Sequence, residues 1–247
     1  MQQTIVDHLT TQLACAILRG EHAPGSRLPT VRALATAHEV TAPTIQRVVA
    51  QLEALGLVDA RQGSGTRVND PREHGSVALL PYWLLAYADQ PERAAALLAD
   101  VLALRRDMAL VMLERLRAHI DDNGLLAAGE ALGALVQAAA AEPRDVQAIA
   151  RADVALMKRL ATLAGGIAHG ALFNSVARVM LETPQLADAM YADVAANISA
   201  FRAVLAALTD RAADDDDDGA RVRRVARAEL EALDAATVAH FAKRLAR

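Results

Sequence analysis

The chain lacks most of what would hold a small disulfide-rich or sandwich-like protein together. Its 247 residues include one cysteine, Cys15, and aromatic side chains make up 3%. A lone cysteine closes no disulfide within the chain. Cys15 is expected as a small buried hydrophobe on the first helix, in a reducing, cytoplasmic setting. Scarce aromatics beside abundant alanine favour packed helices over sheets. No apolar run is continuous enough to span a bilayer, because the apolar stretches are amphipathic, and no signal-peptide pattern is present. Lysine is missing from residues 1–70, where six arginines meet six acidic residues. Any basic stripe there must be local, on Arg27, Arg32, Arg47, Arg61 and Arg67, and tight nonspecific attraction to a polyanion is not expected. The sequence also lacks GxGxxG, P-loop, GxSxG and HExxH patterns and any paired Cys/His set. No enzyme activity, catalytic residue or cofactor is expected.

What is present begins at Ser26. The stretch to Val68, SRLPTVRALATAHEVTAPTIQRVVAQLEALGLVDARQGSGTRV, has the punctuation of helix, turn, helix and two-stranded ribbon. Pro24-Gly25 closes the first helix region. Thr30 is an N-cap candidate for a short helix, since its hydroxyl accepts an orphan backbone N–H. Val31, Leu34 and Ala35 share one face of that helix. A tight turn follows at His38–Val40. Thr41 is expected to cap the second helix, with Pro43 in its first turn, where a missing N–H costs little. Ile45, Val48, Val49, Leu52 and Leu55 form its apolar stripe, which leaves Thr44, Gln46, Arg47 and Gln51 on the other side. Gly56 ends the helix. The runs LVDAR and GTRVN then flank a Gln62–Gly65 turn.

These parts make a winged helix-turn-helix, a module that places one helix in a DNA major groove. The ordered pieces Pro24-Gly25, Leu28-Pro29-Thr30, Arg32, Leu34-Ala35, Val40-Thr41, Thr44-Ile45, Gly56-Leu57-Val58, Arg61, Gly63 and Gly65-Thr66 resemble the GntR family of bacterial transcription regulators. The resemblance implies that Arg32 and Thr44 touch phosphates or base edges, with Thr41 and Arg47 beside them. It implies that Gln46 holds a base-reading position, since an amide can bond two edges of adenine. Arg61 and Gly63 would set the wing on the DNA backbone, with Gly63 able to enter the minor groove. Ala42 and Gln46 depart from the arginines that many family members carry there, which leaves the operator sequence open. Equally open is that Arg32 pairs with a nearby carboxylate and that Gln46 is merely solvated.

Length suggests two domains. The first is expected over residues 1–70 and a linker over 71–76, in NDPREHG. A mostly α, all-helical bundle is expected over 77–247. Its helices read as Pro81–Ala88, Pro91–Ile120, Leu125–Ala141, Arg144–Leu163, Ala168–Leu181, Gln185–Leu208 and Ala220–Leu245. In Pro91–Ile120 the positions Leu97, Leu98, Val101, Leu102, Leu104, Ala109, Val111 and Met112 make a wide apolar stripe. Asp214–Asp218 lacks the alternating ligands and terminal Glu of a calcium loop and reads as a solvated surface loop.

Two stretches of this region, VLALRRDMALVMLERLRA and DVALMKRLATLAGGIAHGALFNSVARVM, resemble the FadR branch of the GntR family, at Asp153, Ala164-Gly165-Gly166 and Asn174. That resemblance implies an effector-binding and dimerisation bundle, a homodimer on a palindromic operator, and a small-molecule effector. The effector would be a long-chain acyl-coenzyme A or, as in many relatives, a carboxylate on a metal held by an Asp and three His. Here the residue four after Asp153 is Met157, His169 is off the pattern, and the late helices offer only His240. No metal centre is therefore expected. Arg105 and Arg106 lie mid-helix in an apolar stripe. They suit an anion hook as well as an ion pair with Asp107, Asp153 or a partner subunit. Asn174 suits a ligand contact as well as a cap of the Gly165–His169 turn, and Asp153 suits a structural anchor. The remaining open alternative is a ligand-independent architectural dimer.

Overall fold

The structure is a computed structural model that describes residues 4–61, 65–209 and 218–245. Gly63 in the wing turn and Asp214–Asp217 in the aspartate run lie outside the described residues. Contacts divide the chain into two compact units, Met1–Gln90 and Pro91–Arg247.

In the first unit, α1 (Ile5–Leu18) starts at a capping box. Thr4 Oγ1 accepts from the Asp7 N–H at 3.2 Å, and the Asp7 carboxylate accepts from the Thr4 N–H at 3.1 Å. This satisfies two donors that a helix start would otherwise leave open. Next come α2 (Val31–Ala37) and α3 (Ala42–Ala54), then the antiparallel ribbon β1 (Val58–Arg61) and β2 (Gly65–Val68), with Val58 opposite Val68. Ile45, Val48, Leu52 and Leu57 are fully buried where these elements meet α1. The segment before α2 also lies along the ribbon: Leu28 N–H donates to Thr66 O, and Val68 N–H donates to Ser26 O, both at 2.9 Å.

The expected 71–76 linker is a helical turn, α4 (Pro71–His74), whose start is capped by Asp70 accepting from the Arg72 N–H at 2.9 Å. After a 3-10 turn at Val77–Leu79, α5 (Leu80–Ala86) packs on α1. Leu79 and Ala86 are buried in the head's core, with Tyr82, Trp83 and Tyr87 against it. The boundary therefore falls after Gln90 rather than after residue 76. The cause is that α5 carries apolar side chains that the small head needs to cover α1.

The second unit is all helix among its described residues: α6 (Pro91–His119), α7 (Asp122–Ala140), α8 (Val146–Leu163), α9 (Ile167–Glu182), α10 (Pro184–Met190), α11 (Val194–Thr209) and α12 (Asp218–Leu245). The long α6 and α12 pack together, α7 packs on α8, and α11 meets both α7 and α12. The single helix expected over Gln185–Leu208 is two. Pro184 starts α10, and the Asp193 carboxylate accepts from the Ala196 N–H at 3.0 Å, so it caps a fresh start for α11. On α6, Leu98, Leu102 and Met112 are buried as expected, while Leu104 and Val111 are exposed. The fold is thus a mostly α chain with a winged helix-turn-helix head and a helical second unit.

Candidate nucleic-acid interface and bundle cavity

The first site grows from the amphipathicity of α3. Ile45, Val48, Val49 and Leu52 turn inward, and Gln46 and Arg47 are exposed on the opposite side. Arg32 on α2 is exposed too, and neither it nor Arg47 makes an ion pair among the described residues. Arg61 is exposed at the end of β1. It pairs with Asp59 at 3.0 Å, a solvent-screened contact that a stronger anion would displace easily. Arg27 and Arg67 are exposed and paired across the ribbon edge.

One expectation changes here. Thr41 stands at the N-cap of α3, but its hydroxyl makes no backbone cap and lies 2.9 Å from the Thr44 hydroxyl. The helix start is closed instead by its backbone: Pro43 brings no N–H, and the Thr44 N–H donates to Thr41 O at 3.0 Å. Gln51, expected on the solvent side, accepts from the buried Thr10 hydroxyl at 2.5 Å and fastens α3 to α1. Gln51 is nonetheless exposed, as expected. Gly56 ends α3 with φ +78, and a Cβ there would lie 2.2 Å from the His74 carbonyl oxygen. Glycine is required both by the left-handed backbone and by that close approach.

The second site is a partly open cavity of about 90 Å³ within the helical unit, walled largely by Leu, Met, Phe and Ala side chains from α6, α8, α9, α11 and α12. Its polar residues are Arg105, Asp153 and Asn197. Tyr191 donates its phenolic hydrogen to Asp153 Oδ2 at 2.6 Å, and both side chains are buried. Burial raises the Asp153 carboxyl above the ordinary carboxylate range, against the Tyr191 hydrogen bond and the Arg105 charge, which lower it. Tyr191 is pushed well up, first by burial and then by the neighbouring Asp153 charge.

Both expected anion hooks have an internal partner. Arg105 reaches Asp234 Oδ1 at 3.1 Å, and Arg106 reaches Asp234 Oδ2 at 2.6 Å. Asp234 on α12 is none of the partners expected from sequence. Its carboxyl is raised by burial, with the two guanidinium groups pulling it down. Of the four ligand candidates, Arg105 and Asp153 line the cavity. Arg106 sits beside it on Asp234. Asn174 is exposed and lines a separate open groove with Lys158, Ile167 and Phe173. Asp153 is held as an anchor by Tyr191.

Met157, not an imidazole, lines the cavity beside Asp153. Among the described residues no group of three or more His, Cys, Asp or Glu could hold a metal ion, so the donor set does not fit a His-rich centre. No helix of the described residues is long and apolar enough to cross a membrane.

Asn197, Tyr191 and Asp234 escaped the sequence reading, although a signal existed. Asn197, Ala200, Phe201 and Val204 recur at helical spacing, and all four line the cavity. Leu233, Asp234, Thr237 and Phe241 also recur at helical spacing on α12 and are buried, though of these only Leu233 lines the cavity. A polar residue inside an apolar stripe marks either a buried partner or a cavity.

Comparison with known proteins bears on the head. Residues 3–68 match the family described as bacterial regulatory proteins, gntR family. The HTH-type transcriptional regulator Mce2R of Mycobacterium tuberculosis is 38% identical over 80 residues, which cover 32% of this chain and 33% of that protein. The uncharacterized HTH-type transcriptional regulator YhcF of Bacillus subtilis is 37% identical over 65 residues, or 26% of this chain and 54% of that one. The chain spans about a third of the length of the first curated relatives it matches. Among solved structures, Lar, which is described as controlling expression of the Listeria monocytogenes agr system, aligns over 99% of both chains with a TM-score of 0.55 and 14% identity. That is a likeness of fold. The N-terminal unit is a GntR-type domain.

Proposed function

We propose that this chain is a DNA-binding transcription regulator of the GntR kind, whose operator affinity responds to a small molecule held in the helical unit. The observation that carries the reading is the exposed face of α3. Gln46 and Arg47 stand free on the helix that a winged helix-turn-helix puts into the major groove, with Arg32 and Arg61 flanking it. The proposal assigns phosphate or base contacts to Arg32, Thr41, Thr44, Gln46, Arg47, Arg61 and Gly63. The test is selection of binding sequences from random duplex DNA by the full chain, followed by Arg32→Ala and Arg61→Ala. Both variants should weaken binding severalfold while sedimentation shows an unchanged assembly. Unchanged operator affinity in both would sink the assignment.

The finer parts of the proposal are the FadR branch, a homodimer on a palindromic operator, and the effector. A dimer is supported by Leu104 and Val111, exposed apolar residues seven apart on one face of α6. The apolar wall of the cavity supports an acyl-bearing effector such as a long-chain acyl-coenzyme A. Its volume of about 90 Å³ lies below the roughly 300 Å³ at which drug-sized sites begin. An acyl chain would thus need the bundle to open. A small carboxylate meets the obstacle that both nearby guanidinium groups are engaged by Asp234.

A further inference from the structure

The cavity's polar end has a definite hydrogen-bonding polarity. Asp153 is 4% exposed and Asn197 is 3% exposed. Both line the cavity, and Asp153 Oδ1 and Asn197 Oδ1 are buried without a partner. Buried oxygens are almost always hydrogen-bonded, so an orphan acceptor on a cavity wall calls for a donor from inside the cavity. Two such oxygens on different helices, α8 and α11, call for the same thing. Arg105 and Arg106 are spent on Asp234, the half-exposed Glu231 is shared by Arg106 and Arg227, and among the described residues Asp153 has no cation in an ion pair with it.

We propose that this end of the cavity is an acceptor site, formed by Asp153 and Asn197, for the O–H or N–H donor head of a small and otherwise apolar effector, such as an aliphatic amine or alcohol. The inference rests on the ligand-responsive reading above and narrows its chemistry. Arg105 then acts as a positioning residue. It holds Asp234 on α12 against α6, and its charge steadies the Asp153 carboxylate, which Tyr191 holds from the other oxygen. Size sets the class. An apolar cavity of about 150 Å³ takes benzene, so about 90 Å³ takes roughly four heavy atoms on the same scale.

The test is a titration of the full-length protein with propan-1-amine, propan-1-ol and propionate at neutral pH, read from the methyl signals of Met112 and Met157, which line the cavity. Saturable shifts with the amine or the alcohol and none with propionate are expected. A tighter amine would identify an ammonium head, and parity would identify a neutral one. Asn197→Leu should weaken binding about tenfold, the effect of one lost hydrogen bond to a charged or desolvated partner. Asp153→Asn keeps an oxygen for Tyr191 and turns the free oxygen into an N–H donor, so it should shift preference toward propionate. Propionate binding as tight as that of the amine, or donor binding unmoved by both variants, would overturn the acceptor site while leaving a ligand-binding cavity. Silence from all three probes would also overturn it. Ala200→Phe, which fills the same cavity, then separates the two readings. Operator affinity that responds to this variant keeps the ligand-responsive reading, and operator affinity that ignores it removes that reading too.

Discussion

Tyr191 and Asp153, 38 residues apart, meet through a 2.6 Å hydrogen bond in which both side chains are buried. The bond ties the end of α10 to the middle of α8 and leaves the other oxygen of Asp153, a cavity-lining residue, buried without a partner.

That geometry sets a pH dependence. Burial raises the folded-state Asp153 carboxyl above its ordinary 3.8, and Asp234 is raised in the same direction. The folded state then binds more protons than the unfolded chain between the ordinary and the raised values. Their contribution is complete below the ordinary value and is lost as pH rises through the folded one. Urea unfolding midpoints should therefore fall as pH rises through that window from about 4. Asp153→Asn should flatten the fall. Tyr191→Phe removes the bond that lowers the carboxyl, so the window should extend upward, with a cost of about 1–3 kcal/mol for the lost partner.

Asp234 is the shared anion of two guanidinium groups, at 3.1 and 2.6 Å. Asp234→Ala strands the mostly buried Arg105 and leaves Arg106 only the half-exposed Glu231 at 3.9 Å, which should cost about 3 kcal/mol. Asp234→Leu, combined with Leu at both arginines, should recover much of that loss, because an apolar replacement of all partners removes the stranded charges. A single variant with wild-type stability in chemical denaturation would contradict the pairing.

The exposed face of α3 predicts two kinds of DNA phenotype. Arg47→Ala should weaken binding uniformly across sequences and reduce the salt slope by about one ion. Gln46→Ala should lose about 1–3 kcal/mol of discrimination at one base pair and leave the salt slope nearly unchanged. Affinities over a set of single-base operator variants at several salt concentrations separate the two.

Gly56→Ala should destabilise the head by about 2 kcal/mol, the scale of an enforced left-handed residue. The new Cβ would also strike the His74 carbonyl, at 2.2 Å in the native backbone. Head-specific tryptophan fluorescence from Trp83, which packs against the head's core, should report an earlier unfolding transition. Thr10→Val, which removes the hydroxyl fastening Gln51, should cost less, about 1 kcal/mol.

The helical second unit shows where sequence reasoning loses reach. Helices around α6, α7, α8, α9 and α12 were legible from apolar periodicity and from Pro and Gly at their ends. The break between α10 and α11 was not, because Asp193 caps α11 in the middle of an otherwise unbroken apolar pattern. Arg105 and Arg106 stood out as charges in an apolar stripe, but their partner did not. Asn174 shared the stretch that pointed to a ligand, yet α9 turns it to solvent.

The sequence by itself determined the head. Thr30 as an N-cap, Gly56 as a stop and the Ile45–Leu52 stripe act through bonds and contacts within a few residues. Residues that close share one helix face or one turn in any context. Tertiary structure alone decided the assignment of α5 to the head, the Tyr191–Asp153 bond, the Arg105–Asp234–Arg106 triad and the two unpartnered oxygens at the cavity. Each depends on which helix faces meet across tens to more than a hundred residues of chain. No local periodicity encodes that choice, because many partner faces are equally apolar and only packing in three dimensions selects among them.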